Sequence, residues 1–65
     1  MTYGEARLAA VDYGRHLRAC AIELPAGFPE PMPIIDIPDV LDAACEARVV
    51  LDSSTFARQV RAGMQ

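Results

Sequence analysis

The chain has 65 residues, of which 52% are hydrophobic and 6% aromatic, and a formal net charge of −3. That length allows a single domain over residues 1–65, one that buries only about 60% of the surface its unfolded chain exposes and has no room for an enclosed cofactor cavity. No apolar run approaches the roughly 18 residues of a membrane span, and the first residues lack the basic-then-apolar order of a signal peptide, so the chain reads as cytoplasmic.

Thr2 and Glu5 stand in the S/T-x-x-E relation of a capping box, which predicts a helix from Tyr3. Ala6, Ala10, Tyr13, Leu17, Cys20 and Leu24 then recur at steps of four and three and form one apolar stripe. Leu8, Val11 and Ile22 fall on the other side among Arg7, Arg15 and Arg18, a second apolar face that suits a partner or another copy of the chain, so a homodimer is left open. Two readings compete here. The preferred one is a long helix to residue 24; in the other, Gly14 ends the helix and residues 16–24 form a strand.

Pro25, Pro29, Pro31 and Pro33 remove backbone donors and fix φ around Gly27 and Phe28, which predicts a stiff extended connector; the plainer alternative is a loop that covers the core with Phe28 beneath it. Ile34, Ile35 and Ile37 favour a short strand. Asp36 is placed to cap a helix whose first turn holds Pro38 and Asp39 and which runs to about Ala47 or Arg48, burying Val40, Leu41, Ala44 and Cys45. Val49, Val50 and Leu51 are apolar and largely β-branched, so they can pair with the isoleucine run as a short ribbon. Asp52 or Ser53 next caps a last helix, which carries Phe56 and Val60 inward and which Gly63 closes. The expected fold is a mainly α domain of about three helices, with or without that two-stranded ribbon. The remaining large apolar side chains, Leu8, Ile34, Val49 and Val50 among them, are candidates for the core.

Asp12, His16 and Cys20 follow at intervals of four and imitate an acid, base and nucleophile series. On a helix the three diverge in direction, and no glycine-rich turn or helix N-terminus beside Cys20 offers an oxyanion hole, so no catalytic residues are assigned. One histidine and the distant Cys20 and Cys45 fall short of a structural zinc site, and the two thiols read as reduced and buried. Asp36, Asp39 and Asp42 lack the alternating ligands and closing glutamate of a calcium loop. No phosphate-cradling glycine motif is present. Neither a metal nor an organic cofactor is expected.

Charge is polarised along the chain. Residues 1–22 carry +1 and residues 47–65 carry +2, whereas residues 23–46 carry −6 through Glu23, Glu30, Asp36, Asp39, Asp42 and Glu46 with no basic residue. A negative field of this kind repels nucleic acid and attracts basic protein grooves, including those that hold phosphate backbones. These six carboxylates are the expected partner-binding residues.

Two resemblances attach to particular residues. The stretch Ser53-Ser54-Thr55-Phe56-Ala57-Arg58-Gln59-Val60-Arg61-Ala62 resembles the recognition helix of helix-turn-helix regulators, which implies that Ser54, Thr55, Arg58 and Arg61 meet DNA while Phe56 and Val60 enter the core. The preceding Val49-Val50-Leu51 departs from that pattern, where a glycine-containing turn is usual. In scale, acidity and lack of motifs, the chain with its acidic positions 23–46 is similar to phage-encoded inhibitors of bacterial defence, the anti-CRISPR proteins. That similarity implies stoichiometric, non-enzymatic inhibition in a bacterial host cell, with a CRISPR effector complex or similar protein as the partner.

Overall fold

In the computed structural model, which describes residues 1–65, the chain forms three helices and no strand: α1 (Tyr3–Ala19), α2 (Pro38–Val50) and α3 (Ser53–Gly63). α1 begins where the capping box requires: the Glu5 amide donates to the Thr2 hydroxyl at 3.2 Å, and the Thr2 amide donates to the Glu5 carboxylate at 2.7 Å. It is the central element, packed against both α2 and α3, which touch each other little beyond the short turn that joins them. Its buried residues, Ala6, Ala10, Tyr13, Gly14 and Leu17, make a stripe at helical spacing.

α1 stops five residues short of the expected end. The Ile22 amide donates to the Leu17 carbonyl at 2.9 Å and the Ala21 amide to the Arg18 carbonyl at 3.0 Å, the paired bonds of a Schellman motif. Ala21 takes the left-handed position usually given to glycine, with φ of 56°. Ile22 then folds back beside Leu17 on the core, so residues 16–24 form neither the long helix nor the alternative strand. Cys20, displaced to the C-cap, is exposed rather than buried, and so is Cys45.

Gly14 does not end the helix either, and its role is close packing. Val11 and Gly14 on α1 face Val60 and Gly63 on α3 reciprocally. A methyl group added at Gly14 would stand 2.0 Å from the Val60 carbonyl oxygen, and one at Gly63 2.0 Å from the Val11 carbonyl oxygen. Two Val-x-x-Gly steps thus bring the helix backbones into contact, a geometry that only glycine permits. Gln59 shares a surface cleft with Gly4, Arg7, Leu8 and Val11, and the Arg18 guanidinium donates to the Met64 carbonyl at 3.0 Å. The two helices therefore run in the same sense.

Residues 20–37 cover the core as a loop and are not extended throughout: the chain turns at residues 25–30, where the Phe28 amide donates to the Pro25 carbonyl and the Glu30 amide to the Gly27 carbonyl, both at 3.0 Å. Phe28 is buried and stacks on Phe56 with ring centroids 5.7 Å apart, and Phe56 stacks in turn on Tyr13 at 6.5 Å. This ladder joins connector, α3 and α1, and the Tyr13 hydroxyl donates to the Pro33 carbonyl. The Phe28–Pro29 and Glu30–Pro31 peptide bonds are cis.

The ribbon is absent because its two segments are used otherwise. Val49 and Val50 complete α2, beyond the expected end at Ala47 or Arg48, and Leu51 enters the core with its amide still bonded to the Ala47 carbonyl. Ile35 is likewise buried, but Leu8, Ile34, Val49 and Val50 are exposed instead of forming core. Asp36 does not cap α2: the N-cap is Ile37, which offers no side-chain acceptor, and the helix starts on the fixed φ of Pro38. α3 is capped by Asp52, whose carboxylate accepts from the Thr55 amide at 3.3 Å.

Candidate functional site

α2 packs on α1 through Ala44 and Ala47, with Val40 and Leu41 partly buried beside them. At 100° per residue, Asp39, Asp42 and Glu46 must then point away from the core, and all three are exposed. Asp39 also lies in the first turn, where a negative charge favours the helix dipole. None of the three takes part in an ion pair. Val49 follows Glu46 by three positions on the same face and is 87% exposed. The row of carboxylates therefore ends in a bare apolar side chain.

The other acidic residues are distributed differently. Asp36 is exposed in the bend before α2, and Glu23 is exposed in the segment after α1. Glu30 is engaged by Arg48, whose guanidinium approaches its carboxylate at 3.0 Å. Of the six expected partner-binding carboxylates, only Asp39, Asp42 and Glu46 share one helix face.

A second surface lies on α3. Phe56, Ala57, Val60 and Gly63 face inward, so Ser54, Arg58, Arg61 and Gln65 line up outward at steps of four, three and four, all exposed. Thr55 is only half-exposed, at the edge of this stripe. Together with Phe28 and Pro29 of the connector the stripe lines an open cleft of about 680 Å³. Neither Arg58 nor Arg61 is in an ion pair. Arg58 lies near enough to Asp52 to help hold that carboxyl below its ordinary pKa, after the larger effect of the hydrogen bonds from Thr55.

The remaining candidates separate. Leu8 is 72% exposed, Val11 is half-buried at the smaller cleft beside Gln59, and Ile22 packs on the core. Leu8 and Val11 line that cleft together, and Ile22 is not part of it. The His16 ring Nδ1 is 2.8 Å from the Asp12 carbonyl oxygen and 3.7 Å from its carboxylate, and His16 meets Cys20 only through the main chain, where the Cys20 amide donates to the His16 carbonyl at 3.0 Å. Asp36, Asp39 and Asp42 do not converge as a ligand set.

Sequence reasoning gives Val49 to the ribbon or the core and assigns Gln65 no role. Both continue rows that it does single out, at i+3 from Glu46 and i+4 from Arg61, so extending each periodic row by one step finds them. Comparison with protein-family models, with curated proteins and with solved structures returns no match to this chain. No helix is long and apolar enough to cross a membrane.

Proposed function

We propose that the chain is a non-enzymatic binding protein, a stoichiometric inhibitor of the anti-CRISPR type that lays the outer face of α2 against a basic, nucleic-acid-binding groove of an effector complex in the host cytoplasm. The observation that carries this reading is the unpaired row Asp39, Asp42 and Glu46 on one exposed helix face. Carboxylates free of internal partners keep their field for an incoming surface, which steers a basic partner into place. Val49 in line with them supplies apolar contact that steering alone does not give.

The test is target-DNA binding by purified CRISPR effector complexes, titrated with the protein. Inhibition should saturate near one equivalent, and Asp39→Asn, Asp42→Asn and Glu46→Gln together should slow association and flatten its salt dependence with the fold intact. A panel of effector complexes left wholly uninhibited, or a triple variant that inhibits as fast as the parent, refutes the reading.

A second reading, a small helix-turn-helix regulator, is favoured by the exposed alignment of Ser54, Arg58 and Arg61 on α3. It predicts binding of mixed-sequence duplex at low salt that falls steeply as salt is added and is lost with Arg58→Ala and Arg61→Ala.

A further inference from the structure

The two charged surfaces complement each other and cannot meet within one molecule. Asp42 and Glu46 on α2 are four residues apart, and Arg58 and Arg61 on α3 three, so each pair presents its charges with Cβ atoms roughly 5–6 Å apart. No ion pair joins the two sets, because α2 and α3 diverge from their joining turn to pack separately on α1. Beside the carboxylates stands Val49, 87% exposed. Beside the arginines lies the open cleft of about 680 Å³, whose apolar lining includes Phe28, Pro29 and Ala57.

We infer that a second copy of this chain occupies that cleft, with Val49 of one molecule seated between α3 and the Phe28–Pro29 segment of the next and Glu46 and Asp42 paired to Arg58 and Arg61. The contact is head-to-tail, since it joins different faces of two identical chains, and it closes into a dimer or continues as a chain according to the angle between the faces. Exposed ion pairs contribute little by themselves. Their part is register and orientation, and burial of Val49 adds apolar contact to them. The acidic face is thereby covered in the free protein, and any partner for that face competes with a neighbouring copy.

The test is sedimentation equilibrium from micromolar to millimolar protein. Wild type associates reversibly at low salt, and added salt weakens the association. Asp42→Arg with Glu46→Arg is monomeric, and so is Arg58→Glu with Arg61→Glu, but an equimolar mixture of these two variants associates again. Arg7→Glu with Arg15→Glu, an equal change of charge on α1, leaves self-association in place. Val49→Ala changes no charge, leaves the core untouched and weakens association about tenfold. A wild type that stays monomeric at millimolar concentration and low salt overturns the inference, as does a mixture that fails to restore association or a Val49→Ala variant that associates like wild type. Duplex DNA bound through Arg58 and Arg61 by a monomeric protein also overturns it, and makes nucleic acid the occupant of the cleft. The arginine variant lies outside the α2 face, so it loses self-association while keeping effector inhibition, which separates this inference from the proposed function.

Discussion

Gly14 lies against the main-chain carbonyl of Val60 so closely that a methyl group on Gly14 would stand 2.0 Å from the oxygen, and Gly63 holds the same relation to Val11. The atoms in the way are backbone, which cannot rotate aside as a side chain can. Gly14→Ala and Gly63→Ala should each destabilise the fold by about 3 kcal/mol, at the upper end for overpacking, although alanine is the better helix former. A Cβ at Gly4, by contrast, meets nothing within 4 Å, so Gly4→Ala should stabilise by up to about 1 kcal/mol. Urea unfolding of the three variants checks both signs. A Gly14→Ala protein as stable as the parent would mean that α1 and α3 are not in backbone contact.

Ala21 sits in the left-handed region at φ 56° to complete the turn that ends α1, a conformation costing an L-residue roughly 1–2 kcal/mol. Ala21→Gly removes that cost and adds some unfolded-state entropy. The expected net effect is stabilisation by about 1 kcal/mol, read as a higher melting temperature with an unchanged circular dichroism spectrum. A lower melting temperature would contradict the Schellman geometry.

Tyr13 is wholly buried, and burial, with Cys45 nearby, pushes its phenol from 10.0 up to about 12. The folded pKa lies above the unfolded one, so the corresponding stability is fully present below pH 10 and is lost as pH rises toward 12. The loss is on the order of 3 kcal/mol over that window. Tyr13→Phe should remove this alkaline dependence and cost about 1–2 kcal/mol at neutral pH, because the Pro33 carbonyl loses its donor. Denaturant unfolding of both proteins at pH 8 and pH 11.5 measures the difference.

At the acid end the sign reverses. Hydrogen bonds from Thr2 lower the pKa of Glu5 below 4.5, and those from Thr55 lower that of Asp52 below 3.8. Both contributions are present above the unfolded values and disappear as pH falls through the folded ones. Asp52→Asn keeps an acceptor for the Thr55 amide but has no titrating charge. Its acid-induced loss of helicity should therefore be smaller than that of the parent, as circular dichroism between pH 5 and pH 2 would record.

What sequence makes legible here is local. The Thr2–Glu5 box, the Asp52 cap and the inward placement of Phe56 and Val60 depend on neighbours within a few positions, and each is found as expected. The end of α1 is not of that kind: Ala21 carries no glycine signal, and the continuing pattern of Cys20, Ile22 and Leu24 suits a helix as well as a turn folded onto Leu17. The ribbon fails for a similar reason, since β-branched residues at Val49 and Val50 yield to a helix already packed through Ala44 and Ala47. Gly14 and Gly63 explain each other only across 49 positions of sequence. For the surfaces, periodicity alone aligns Asp39, Asp42 and Glu46, whereas the withdrawal of Glu30 by Arg48 is a tertiary event.

Five of the twelve core residues, Ala6, Ala10, Ala44, Ala47 and Ala57, are alanine, and this inverts the usual logic of a truncation scan. Where the interior is already trimmed to methyl groups, replacement by alanine leaves these positions, all of them on helices, unprobed. The informative perturbation is enlargement. A serial set of Ala→Val changes would map helix spacing position by position, and a second-site change of a facing large residue to a smaller one would reveal which helix had been pushed away.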